Sequence, residues 1–230
     1  MMLKQLFFSA TFAVALCSQT AMAQTPRWLD PQVNRVNTEK ARSTFFAYES
    51  QALAQKGLKE RSGRFLSMEG EWKFQFSKDH NLAPKGFQAP GYDDSLWEDF
   101  PVPGIFEMNG HGDRIYKNVG YAWATQFHSN PPVVEEKNNY TGSYRRTFTI
   151  PAQWKGDRIY VHVGSATSNL TLWVNGKEVG YSEDSKLEAE FDITKYVVPG
   201  QKALIAMQVM RWCDGSYGED QDFWRFTGIA

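Results

Sequence analysis

The densest chemistry in the sequence lies near its carboxyl end, where residues 211–225 read RWCDGSYGEDQDFWR. Asp214, Glu219, Asp220 and Asp222 can accept hydrogen bonds from hydroxyl groups, while Trp212, Tyr217 and Trp224 can cover the apolar face of a sugar ring. That is saccharide chemistry. The same residues can also make a solvated acidic turn paired with Arg211 and Arg225, and spacing does not separate the two readings. The four carboxylates are hard oxygen donors, yet their spacing is not that of an EF-hand loop, which argues against a dedicated calcium site. Zinc has less support, since His80, His111, His128 and His162 are scattered, as loop or surface residues would be, and Cys213 stands apart from them. Glu183, Asp184, Glu188 and Glu190 form a second acidic group. A glycosidase pair would need two carboxylates held about 5 to 9 Å apart across a sugar pocket, whereas surface carboxylates are by default solvated charge. No Gly-x-Ser-x-Gly elbow, phosphate-cradling loop or dinucleotide fingerprint occurs.

The elements that must position these residues read as strands. Trp72, Phe74 and Phe76 alternate after Gly70, as in a half-buried strand. Residues 79–100 are rich in turn formers and read as a loop anchored by Trp97. Residues 101–104 and 109–113 read as turns, and residues 115–123 as an aromatic loop. Beyond residue 143 the alternation becomes dense, with Tyr144, Phe148 and Ile150, then Ile159, Val161 and Val163, then Leu170, Leu172 and Val174. The last run leads into Asn175-Gly176, the strongest short hairpin signal. Phe191 and Ile193 suggest a further strand, and the nearly continuous apolar run 203–210 suits one buried on both faces. Short strands at this spacing, without a long amphipathic helix, predict an all-β, jelly-roll β-sandwich. Residues 24–60, polar and without a sustained period, are expected to form an extended amino-terminal arm ahead of a domain over 61–230.

Composition narrows the partners. A formal charge of -1 with both signs interspersed gives no basic stripe for a phosphate backbone, so nucleic acid is not expected. Lys4, the apolar run that follows and Ala21-Met22-Ala23 make residues 1–23 an expected export signal, and no later segment is long and apolar enough to anchor in a membrane. The expected location is periplasmic or secreted. Cleavage would remove Cys17 and leave Cys213 alone, so packing rather than an internal disulfide must hold the domain. Aromatic residues make up 15% of the chain and include eight Trp, most of which are expected in the core. Asn139-Tyr140-Thr141 and Asn169-Leu170-Thr171 have the form of glycosylation acceptors.

The segment 211–225 followed by Gly228-Ile229 closely resembles the signature of large family 2 β-galactosidases. Stretches resembling the same family occur in order at residues 31–48, 70–74, 101–103 with 115–119, and 174–192. The resemblance implies a galactose-binding-like jelly roll whose loops reach into the active site of a (β/α)₈ barrel placed later in the chain. It implies Asn118 and Val119 beside the galactosyl group, and Asp214 as the carboxylate that holds Na+ and the galactose 6-hydroxyl. The acid/base Glu, the nucleophile Glu and the Mg2+ ligands are implied in the barrel, which would hydrolyse terminal β-galactosides with retention through a covalent intermediate. Nothing in this sequence matches that barrel, so the chain is expected to be a catalytically inactive part of a β-galactosidase, itself a homo-oligomer in which the arm joins subunits. The alternative expectation is a free-standing exported carbohydrate-binding module, and a third is an assembly piece with exposed apolar surface.

Overall fold

The computed structural model describes residues 25–230, apart from the side chains of residues 221–223; the expected leader and Cys17 lie outside the described residues. The chain enters with β1 (Arg35–Val36) and helix α1 (Gln51–Lys56), whose first turn is capped by the Ser50 hydroxyl. The sandwich follows as β2 (Gly70–Ser77), β3 (Glu98–Val102), β4 (Gly104–Ile105), β5 (Ile115–Tyr121), β6 (Thr141–Thr149) and β7 (Tyr160–Val163). It continues with β8 (Ala166–Thr167), β9 (Leu170–Val174), β10 (Lys177–Ser182), β11 (Ala189–Asp192) and β12 (Lys202–Met210). A short helix α2 (Ser216–Glu219), β13 (Gln221–Arg225) and β14 (Gly228–Ile229) complete it.

Seven strands form one antiparallel sheet in the order β1-β10-β9-β12-β6-β2-β3. Smaller sheets, β11-β7 and β4-β14-β8, lie against it. One core joins the layers: Trp72, Phe74, Tyr144, Leu172, Ile205 and Met207 come from the large sheet, and Val161, Phe191 and Ile229 come from the small ones. This is the all-β sandwich that the alternation predicts. Asn175 and Gly176 both take positive φ in the tight turn between β9 and β10, as an Asn-Gly hairpin requires.

Strand β12 lies inside the sheet and is buried on both faces. Its far face is covered by the loop of residues 78–97, where Phe87 and Trp97 pack on Ala206. Arg145 on the neighbouring β6 clamps that loop. Its Nε donates to Asp94 Oδ2 at 2.6 Å, and its Nη1 donates to the carbonyls of Phe87 and, at 3.0 Å, Ala89. Trp97 is therefore one anchor of the loop, and the buried guanidinium of Arg145 is another.

Several segments differ from the sequence reading: residues 98–100, read as the end of a loop, open β3, and residues 51–56 of the arm, read as extended, form helix α1. Residues 101–104 are not a free turn, because Pro101 and Val102 close β3 at the sheet edge, where a missing N–H costs no ladder bond. Residues 115–121 are strand β5 rather than loop, paired with β13. Local alternation could not reveal β5, since its strand partner among the described residues arrives near the end of the chain. Among the described residues no helix is long and apolar enough to cross a membrane.

A Cβ at Gly142 would sit 2.4 Å from Phe106 Cζ and 2.6 Å from Phe74 Cε2. Gly142→Ala should therefore cost about 1–3 kcal/mol by overpacking. Urea unfolding checks this, and an unchanged midpoint would mean that these rings are free to move aside.

Candidate functional site

The site begins where β12 ends. Arg211, Trp212, Cys213 and Asp214 continue the buried strand without reaching solvent. Two asparagines take up their backbone groups. Asn139 receives the Trp212 N–H on Oδ1 at 2.9 Å and donates its amide to the Trp212 carbonyl at 3.0 Å. Asn169 Oδ1 accepts the Met210 N–H at 3.1 Å. Both asparagine side chains are shut away from solvent, at 0% and 2% exposure, so neither acceptor motif offers its amide to a glycosyl group in the folded state.

Charge is buried around Trp212. The guanidinium carbons of Arg211 and Arg225 lie 5.2 and 4.8 Å from its ring. Arg225 pairs with Asp220 at 3.1 Å, both side chains being 3% exposed, and also donates to the Arg211 carbonyl. Arg211 donates to the Asp113 carbonyl at 2.8 Å, and burial pulls its pKa below the ordinary value. The solvated acidic turn is thus not what Asp220 forms, whereas Glu219 stays exposed and takes the Ser185 hydroxyl. The side chain of Asp222 lies outside the described residues.

Asp214 is 8% exposed, and its Oδ1 has no hydrogen-bond partner. Beside it lie Glu183, just beyond β10, and Cys213, with one ligand atom from each of the three within 4.8 Å of the others. Burial raises the pKa of Asp214 and Cys213, and it pushes Glu183 up to about 8, with the Asp214 charge adding to the effect. The Tyr181 hydroxyl donates to Glu183. Sequence reasoning singled out Asp214 but treated Glu183 as one of a surface group and Cys213 as isolated; their convergence depends on β10 and β12 sharing a sheet, for which no local signal exists. Two buried, adjoining carboxyls are also not the pair that brackets an open sugar pocket.

The arm holds both acids by their backbones. Asp214 N donates to the Trp28 carbonyl at 2.9 Å, and Glu183 N donates to the Asn34 carbonyl at 3.0 Å. Trp28 in turn packs edge-on to His80 at 5.3 Å. His80 is neither surface nor free loop: it is largely enclosed, its Nδ1 is 3.2 Å from Thr141 Oγ1, and burial with Lys85 nearby lowers its pKa to about 4.

Asn118 and Val119 stand elsewhere, on the exposed bulge of the β5–β13 ribbon, Val119 being 85% exposed. The ribbon is tied to the Asp214 segment at both roots, by Arg211 to the Asp113 carbonyl and by Ala122 N to the Asp220 carbonyl at 3.3 Å. Across the ribbon Tyr116 faces Trp224, with ring centroids 5.0 Å apart and about half of each residue exposed. The sequence singles out Trp224 as a ring for a sugar face but not Tyr116, which falls in a stretch that reads as loop.

Comparison with known proteins bears on this arrangement. The model of the sugar binding domain of the glycosyl hydrolases family 2 matches residues 65–230. The β-galactosidase of Priestia megaterium is 37% identical over 205 residues, covering 89% of this chain and 20% of that protein. The β-galactosidase of Halalkalibacterium halodurans is 38% identical over 203 residues, covering 88% and 20%. The chain thus spans about a fifth of the length of the curated relatives it matches. Among solved structures, β-glucuronidase from Ruminococcus gnavus aligns with a TM-score of 0.45 at 24% identity, over 63% of this chain and 21% of that one.

Arg225→Ala should cost about 3–5 kcal/mol, because Asp220 would be left buried without its cation. A loss under about 1 kcal/mol in chemical denaturation would mean that the pair is solvated. His80 yields a pH dependence. Its pKa is lowered on folding from 6.5 to about 4, so its neutral form is the one that the fold holds. Stability from this source is complete above pH 6.5 and is lost as pH falls towards 4, by at most roughly 3 kcal/mol. Melting temperatures across that window should fall less steeply in His80→Gln than in the parent, and parallel curves would remove His80 as the cause.

Proposed function

The chain belongs to the glycosyl hydrolases family 2, whose sugar binding domain accounts for residues 65–230, and on that premise we propose that it supplies the galactoside-recognising part of a β-galactosidase. The observation that carries this reading is Asp214 Oδ1, an acceptor enclosed at the end of β12 yet without a partner. A carboxylate oxygen in that condition suits a hard cation, which can in turn take a sugar hydroxyl oxygen. In this proposal Asp214 holds Na+ and the galactose 6-hydroxyl, and Asn118, able both to donate and to accept, faces the galactosyl hydroxyls with Val119 against its apolar edge. The arm fixes Asp214 through its backbone, and the twin asparagines keep the segment from shifting.

Hydrolysis is assigned to the parts of the relatives that this chain does not span. There the acid/base and nucleophilic carboxylates and the Mg2+ ligands would act on a terminal β-galactoside with retention. Homo-oligomerisation of that longer protein and export through the 1–23 leader belong to the same proposal, as does a carbohydrate partner rather than nucleic acid or membrane. The two-part division into an arm over 24–60 and a jelly-roll domain over 61–230 belongs to it too.

The exposed Tyr116–Trp224 pair favours a second reading, a carbohydrate-binding module that works alone, because paired rings can serve as a stacking platform. Titrating the 230-residue chain with methyl β-D-galactoside by NMR, in Na+ and then in K+, separates the two. For the first reading, binding is weak and Na+-dependent, Asp214→Asn weakens it about tenfold, as losing a charged hydrogen bond of about 1.5 kcal/mol would, and a chromogenic galactoside stays intact. Tight binding that Trp224→Ala abolishes and Asp214→Asn spares would make the chain a module. Equal response to the glucoside would sink the galactoside assignment.

A further inference from the structure

Among the described residues, Glu183, Cys213 and Asp214 are the group whose donor atoms could meet on one metal ion, within 4.8 Å of one another. Acidic neighbours alone would mean little. Here all three are enclosed, at 4%, 0% and 8% exposure, and Asp214 Oδ1 is a buried acceptor with nothing bonded to it. Among the described residues no Lys, Arg or His forms an ion pair with Glu183 or Asp214; the nearest such pair in sequence is Arg35 with Asp184. Buried carboxyls are ordinarily paired, neutralised or bound to metal; with no cationic side chain paired to it, this cluster is left the last two, and the unbonded Asp214 Oδ1 is the oxygen free for a metal.

We propose that Glu183, Cys213 and Asp214 form a site for a thiophilic divalent cation of the zinc class, which displaces the monovalent ion assigned above to Asp214. The donor set argues for this class. Two carboxylates and one thiolate supply three anionic ligands for a divalent ion, and sulfur adds strong bonding to Zn2+ or Cd2+ but almost none to Na+. On binding, the Cys213 S–H and the Glu183 carboxyl each release a proton to solvent as the metal–sulfur and metal–oxygen bonds form, and nothing is oxidised. A fourth position would be left for water or a sugar oxygen. The two cations then compete for one residue, which makes trace thiophilic metal an antagonist of the sodium-bound form. This inference shares Asp214 with the functional reading, but its measurement needs no sugar.

The test uses the full chain with Cys17→Ser, so that Cys213 is the sole thiol, titrated with Cd2+ alone under argon. The expected result is one equivalent bound, an ultraviolet thiolate-to-cadmium charge-transfer band, and competition by Zn2+ and by rising Na+ at constant ionic strength. Glu183→Gln and Asp214→Asn should each keep the band but weaken binding by about tenfold or more. Cys213→Ser should lose the band. Absence of the band in the parent at stoichiometric Cd2+ overturns the proposal, and this measurement stands even if a variant fails to fold. A band whose affinity is untouched in both carboxylate variants overturns it as well, since the thiol would then be acting alone. Loss of galactoside binding with the cadmium result intact would count against the sugar reading only.

Discussion

Strand β12 is still buried when it runs out of partners, and that constraint shapes everything around the site. A backbone leaving a sheet normally meets water within a residue or two. Here Arg211 to Asp214 lie inside, so their backbone N–H and carbonyl groups must be met by protein. The sandwich supplies Asn139 and Asn169, the ribbon supplies the Asp113 carbonyl, and the arm supplies the Trp28 carbonyl. Elements distant in sequence are thereby drawn to one end of the fold. Trp212 is the common floor, with two guanidinium groups and Phe127 packed against it.

The arm is part of this closure. Its β1 extends the large sheet beyond β10, where Arg35 pairs with Asp184, and Arg42 reaches Glu190 on β11 of a smaller sheet. Those exposed pairs are individually weak. What the arm does for the site comes instead from the two carbonyls that receive Asp214 and Glu183, because these set the backbone positions from which two acids are forced into proximity. Raised pKa values then follow from enclosure, and the neutral form of Glu183 is how the fold tolerates the pair.

Much of this was legible in the residues. Strand alternation and Asn175-Gly176 marked the sheet and its hairpin, and the apolar run 203–210 marked the strand buried on both faces. Five of the eight Trp are core, namely Trp28, Trp72, Trp97, Trp123 and Trp212. The failures share a cause. Strand β5 and the Glu183–Asp214 contact depend on which distant segments become neighbours, and so does the burial, though not the pairing, of Arg225 with Asp220; composition carries no trace of that. His80 shows the same effect on a smaller scale, since Trp28 from the arm and Thr141 from β6 both come against it.

The two asparagines that seal the end of β12 have a consequence for how the protein can be made. Each sits in a sequence that an oligosaccharyltransferase reads on an extended, translocating chain, before any sheet has formed. A glycan attached to Asn139 or Asn169 at that moment would occupy the amide that must later bond inside the fold, and no space remains there to receive it. In a secretory pathway that glycosylates during translocation, folding and modification would compete for the same nitrogen atoms, and modified chains would go to quality control. A host without that enzyme, or an Asn-x-Ala version of both sites, would free the chain of the conflict; the latter asks Thr141 and Thr171 to give up a hydroxyl, while leaving both asparagines in place.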